Sequence, residues 1–92
     1  MINAMHYVYI LKCSDDSLYC GYTTDPAKRL SVHNSGKGAK YTRSRRPCEL
    51  IYSESYDDKS TALKREAAIK RLSREEKLKL IKAYLSSFSP AQ

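Results

Sequence analysis

The stretch Tyr7-Val8-Tyr9-Ile10-Leu11-Lys12-Cys13-Ser14-Asp15-Asp16-Ser17-Leu18-Tyr19-Cys20-Gly21-Tyr22-Thr23, YVYILKCSDDSLYCGYT, decides the reading of this chain. β-branched and aromatic residues flank a polar SDDS, so it reads as two strands around a turn. Strand side chains alternate, which puts Tyr7, Tyr9 and Leu11 on one face and Val8 and Ile10 on the other. In the second strand Tyr19 and Gly21 share a face, with Leu18, Cys20 and Tyr22 opposite. The turn does not disclose its register, so whether Tyr9 and Tyr19 emerge together stays open at this level. Four of these seventeen residues are tyrosine, where a strand built only for burial favours valine and isoleucine. Either the phenols are amphipathic packing residues, or some of them are reagents. Gly21 sharpens the question, because glycine weakens a strand and marks a close approach to its backbone.

After the hairpin, Thr24-Asp25-Pro26 is a helix start, a capping side chain followed by a residue whose missing amide proton costs nothing there. That helix is predicted to run to about Asn34 and to stop at Gly36. GKGAKYTRSRRP, from Gly36 to Pro47, is basic, glycine-containing and without period, and reads as a flexible loop. Glu49 to Tyr56 reads as a third strand. Asp57-Asp58 caps a helix through about Leu72, and Ser73-Arg74-Glu75-Glu76 is a capping box that restarts a helix through Leu85. The order β-β-α-β-α-α predicts an α+β domain, a three-stranded antiparallel sheet with helices. Residues 1–85 are expected to form one domain and 86–92 a flexible tail.

Ninety-two residues suffice for one compact core. With 17 Lys and Arg against 10 Asp and Glu, the formal net charge is +7. Such a balance favours a polyanionic partner, nucleic acid first and an anionic membrane surface second. No run of eighteen apolar residues offers a membrane span. MINAMHYVYILK lacks the basic head and cleavage site of a secretion signal, so a cytoplasmic location is expected. Cys13, Cys20 and Cys48 are odd in number, show no CxxC spacing and have only His6 and His33 for company, so reduced thiols are expected in place of a zinc site.

Several residues outside the hairpin carry chemistry. Arg29 and His33 lie four apart and share a helix face, flanked by Leu30 and Val32. Arginine matches a phosphate bidentately, while the bland reading is a snorkelling arginine and a surface histidine. In the next helix Ala62, Leu63, Ile69 and Leu72 form the expected buried stripe. At about 100° per residue Glu66 falls on that stripe. A carboxylate so placed needs a salt-bridge partner, hydrogen bonds or a metal. Lys37, Lys40, Arg43, Arg45 and Arg46 surround Tyr41 in the loop, a composition suited to following a phosphodiester backbone.

Tyr7-Val8-Tyr9, nine residues, Tyr19-Cys20-Gly21, then Arg29-Leu30, His33 and Glu66 resemble the GIY-YIG nuclease domain over residues 5 to 80. The loop resembles that of the small stand-alone bacterial members and is similar to the catalytic subunit of nucleases that cut branched DNA. The resemblance implies a three-stranded antiparallel sheet flanked by helices. It also implies a metal-dependent endonuclease acting on DNA, with RNA left open. Tyr9 would be the general base, Tyr19 and His33 would orient the phosphate or relay protons, and Arg29 would bind phosphate. Glu66 would hold Mg²⁺ or Mn²⁺, and Gly21 would complete the second motif. A free phenol titrates near 10, so a nearby cation would have to lower Tyr9. Tyr7 stands where the motif has glycine, and no asparagine follows Glu66. No attached DNA-binding domain is read in the chain, so targeting would come from this domain or from a protein partner; a monomer is expected. The competing expectation is a nucleic-acid-binding module with this fold and little cleavage.

Overall fold

The computed structural model describes residues 5–87. The expected tail therefore lies largely outside the described residues, as do the first four positions. Strands β1 (His6–Lys12) and β2 (Leu18–Thr23) form the predicted hairpin, and β3 (Glu49–Tyr56) pairs with the other edge of β1. The sheet order is β2-β1-β3, antiparallel throughout. Helices α1 (Pro26–Asn34), α3 (Lys59–Lys70) and α4 (Arg74–Ser86) fall where the sequence places them.

The helix ends follow from their caps. Asp25 accepts the Lys28 amide at 3.1 Å ahead of Pro26. At the other end Gly36, at φ +86°, lets its own amide reach the His33 carbonyl and that of Lys37 reach Val32. This is the paired closure that a left-handed residue makes possible. Asp58 caps α3, and Ser73 with Glu76 forms the reciprocal capping box of α4.

The sheet separates two cores. Val8, Ile10 and Cys20 pack against Ala62 and Ile69 of α3 and Ile81 of α4. On the opposite face Tyr9, Leu11, Cys13 and Cys48 are buried, with Tyr19, Leu30 and Leu50 against them. A register shift lets β3 serve both. Ile10 faces Tyr52 while Leu11 faces Leu50, so Ile51 is the extra residue of a bulge. Alternation is reset there, and Ile51 joins the first core while Leu50 turns to the second. Cys13, Cys20 and Cys48 are all buried free thiols.

Two expectations need correction. Leu63, placed on the buried stripe, is 39% exposed, because Ala62 and Ile69 alone carry the helix centre onto the sheet. The loop after α1 is also more ordered than its composition suggests. It contains a turn of helix, α2 (Lys40–Arg43), and its base is closed by Asn34. Asn34 donates to the Cys48 carbonyl at 3.0 Å and accepts its amide at 2.7 Å, imitating a strand partner.

Arg65 pairs with Glu54 of β3 at 2.8 and 2.9 Å, a two-pronged contact. The Tyr52 and Tyr56 hydroxyls donate to the same carboxylate. Burial alone would raise the Glu54 carboxyl, but the Arg65 bonds and both phenols together hold it below the ordinary glutamate value. Its stabilisation is therefore complete above the unfolded pKa and is lost as pH falls through the lower, folded one. Thermal melts are expected to show a falling midpoint below about pH 5. Glu54→Gln is expected to melt lower at pH 7 and to flatten that acid limb. An unchanged acid limb in the variant would assign the effect to other carboxylates.

Candidate active site

Gly21 stands opposite Tyr9 and Tyr19 opposite Leu11, so the register brings both tyrosines to one face. The Tyr9 ring crosses β2 at Gly21, where an added Cβ would lie 2.4 Å from the phenolic oxygen. Only glycine lets the phenol lie there, which answers the question its position raises.

Above this face runs α1, and its i, i+4 spacing delivers Arg29 and His33 together. His33 is not the surface histidine of the bland reading: it is 0% exposed. Tyr9 Oη lies 3.0 Å from His33 Nε2, and Thr42 Oγ1 lies 2.8 Å from His33 Nδ1. Half-buried Tyr19 packs edge-on against the imidazole, with centroids 5.2 Å apart. Tyr41 stacks on Tyr19 at 5.9 Å, and the Arg45 guanidinium caps Tyr41 at 4.0 Å. A ladder of rings thus runs from solvent to the buried histidine.

Electrostatics on this face oppose charge on the buried groups. Burial pushes the Tyr9 phenol up to about 12, and the adjacent Arg29 side chain offsets only part of that rise. The expected lowering by a neighbouring cation is therefore not achieved by Arg29, because desolvation is the larger effect. His33 is held below the usual histidine range by its burial and then by the Arg29 charge. Both effects favour the neutral imidazole over its charged form.

The remaining candidates are placed unequally. Glu66 is on α3, against the other face of the sheet, close enough to Cys20 that its charge, after burial, helps push that thiol up to about 11. Its carboxylate is half-buried and meets Lys70 one turn on at 3.2 Å. The basic partner considered for Glu66 is Lys70, while Arg65 makes a part-buried pair with Glu54. Glu66 is left with a partner that is 52% exposed. Of the loop cations, Arg45 is tied to Asp15 and to the Tyr41 carbonyl, and Arg46 to the Arg43 and Asn34 carbonyls. Lys37, Lys40 and Arg43 are exposed.

Sequence reasoning missed Thr42. It is 0% exposed and bonded to His33, yet a threonine in a basic loop carries no sequence signal of burial. The hint was Gly38, where a Cβ would stand 2.4 Å from His33 Nδ1. A second glycine so close to the first was the trace of a backbone pressed onto the imidazole.

A three-stranded antiparallel sheet bearing two motif tyrosines, with arginine and histidine on the helix above them, defines the GIY-YIG class. The sequence model of the GIY-YIG catalytic domain matches residues 5–79, and the chain belongs to that family. It is 58% identical over 78 residues to a UPF0213 protein of Staphylococcus haemolyticus, covering 85% of this chain and 95% of that one. A UPF0213 protein of Staphylococcus saprophyticus is 60% identical over 76 residues, covering 83% and 93%. Among solved structures, that of a UPF0213 protein from Bacillus halodurans is 48% identical with a TM-score of 0.58, covering 86% of this chain and 84% of that one. A protein from E. faecalis is 43% identical with a TM-score of 0.61, covering 96% and 94%. Family membership implies nuclease activity. No described helix is long and apolar enough to cross a membrane.

Proposed function

We propose that the protein is a metal-dependent endonuclease that hydrolyses phosphodiester bonds in DNA. The observation that carries this is the contact of Tyr9 with His33 beside Arg29, on the face bordered by the exposed cations of the loop. Tyr9 takes a proton from the attacking water and passes its own to His33 Nε2. The phenol then never has to ionise in a buried site that opposes its charge. Arg29 stabilises negative charge developing on the phosphorus-bound oxygens. Tyr19 holds the phosphate in place. Lys37, Lys40 and Arg43 follow the flanking backbone.

The metal would be held by Glu66 at the β2 edge, which α3 flanks from one face and the Tyr9 phenol crosses from the other. Among the described residues no cluster of three His, Cys, Asp or Glu side chains is gathered, so Glu66 would share the ion with water and substrate. That suits Mg²⁺ or Mn²⁺, which Mg²⁺ sites built on one or two carboxylates and phosphate illustrate. Once bound, such an ion supplies Lewis-acid charge to the phosphodiester.

The test is a panel of labelled linear, flapped and junction DNAs, with RNAs beside them, incubated with and without Mg²⁺ or Mn²⁺. Metal-dependent cleavage of at least one DNA is expected. Affinity should fall with about 0.9 power of salt per phosphate contacted. Replacing Lys37, Lys40 and Arg43 together by Gln should make that slope shallower. Salt-dependent binding with no cleavage of any substrate would leave the binding-module reading in its place.

A further inference from the structure

We propose that Thr42 is a positioning residue, which fixes the proton of His33 on Nδ1 and so leaves Nε2 as the lone pair facing Tyr9. The argument begins with a carbonyl. Thr42 Oγ1 lies 2.9 Å from the Ala39 carbonyl oxygen and 2.8 Å from His33 Nδ1. A carbonyl can only accept, and two oxygens at that separation repel unless a hydrogen lies between them. The single hydroxyl proton of Thr42 therefore points at Ala39. Its oxygen can then serve His33 only as an acceptor, so Nδ1 carries the hydrogen. In a neutral imidazole the other nitrogen is then bare. Nε2 accepts from the Tyr9 hydroxyl 3.0 Å away, and the direction of the whole chain is set by one backbone carbonyl.

Packing keeps the His33–Thr42 end of this arrangement away from solvent. His33 and Thr42 are 0% exposed and Tyr9 2%. Gly38 closes the third side, since an added Cβ there would stand 2.8 Å from the His33 Cα and 2.4 Å from Nδ1. The same loop that presents cations outside thus holds a hydroxyl against the histidine inside. In the opposite tautomer Nε2–H would point at Tyr9, and the histidine could not take the phenol's proton. A fixed tautomer is a general requirement of a histidine that accepts protons, and here the fixing group comes from the loop.

This inference rests on the reading of Tyr9 and His33 as reagents, but its test does not need cleavage. The full chain, labelled with ¹⁵N-histidine, is measured by two-dimensional NMR at neutral pH, with His6→Gln to separate the two rings. Wild type is expected to carry the His33 proton on Nδ1. Thr42→Ser keeps the hydroxyl and should preserve both that signature and the cleavage rate within a few-fold. Thr42→Val keeps the shape and removes the acceptor. It should move the proton toward Nε2 and lower cleavage at least about tenfold, a part of the 10²–10⁴ typical of positioned proton transfer. Should Thr42→Val fail to fold, wild type and Thr42→Ser still decide the matter. A wild-type proton on Nε2 overturns the proposal, as does a folded Thr42→Val that keeps it on Nδ1. A correct tautomer in a protein that cuts no substrate would sink the nuclease reading alone.

Discussion

Tyr9→Phe is expected to keep the fold and to lose about 10²–10⁴ in cleavage rate. The variant removes one oxygen and leaves the ring over Gly21, so the packing of the second core is unchanged. What it strands is the His33 Nε2 acceptor, at a stability cost of about 1–3 kcal/mol. The comparison is Tyr7→Phe, on the same strand face but outside the chain of contacts, which should cut within a few-fold of wild type. The pH profile tests the route of the proton. If Tyr9 hands its proton to His33, the rate should rise with pH while His33 loses its charge and then level off. Burial and the Arg29 charge lower His33, so this limb should lie at lower pH than that of a free histidine and the rate should level off above it. A rate still climbing toward the phenol's own value of about 12 would mean that Tyr9 ionises unaided. Equal rates in wild type and both variants would remove Tyr7 and Tyr9 from the chemistry and turn attention to Tyr19.

Glu66→Gln is expected to cost cleavage at least as much as loss of one charge-stabilising contact does elsewhere, about 10²–10³-fold, with little change in melting temperature. The reasoning rests on its partner. Lys70 is 52% exposed and one helical turn away at 3.2 Å, and such a pair is worth about 0.3–0.5 kcal/mol. Breaking a truly buried pair would cost about 3–5 kcal/mol instead. Paramagnetic broadening by Mn²⁺ of the amides around Glu66 should disappear together with activity. A folded, fully active variant would end the metal role of Glu66, and a loss of several kcal/mol would make the residue structural.

The elements that could be read in the sequence are those whose causes are local. Asp25-Pro26, Gly36 and the Ser73–Glu76 box announce helix ends within a few residues, and the alternation of β1 and β2 announces the hairpin. Arg29 and His33 could be paired because helical spacing alone brings them together. The register that puts Gly21 under Tyr9 could not, because it is set by the turn and by packing on both faces. Glu54 as the partner of Arg65 was equally hidden, since β3 and α3 meet only in three dimensions. Leu63 shows the reverse failure, a residue apolar enough to be buried on a helix whose small Ala62 occupies the contact. Thr42 was concealed twice over, by a loop composition and by a role defined only through His33.

The Asn34 clasp on Cys48 has a consequence for chain entropy. Freezing a backbone residue costs roughly 1–2 kcal/mol, and a loose basic loop would meet that cost whenever it closed on a ligand. Here the segment is closed at its base by Asn34 and in its middle by Thr42 on His33, so its ordering belongs to folding. Polyanion capture then needs no coupled folding, and encounter can proceed at the rate that charge attraction and diffusion allow.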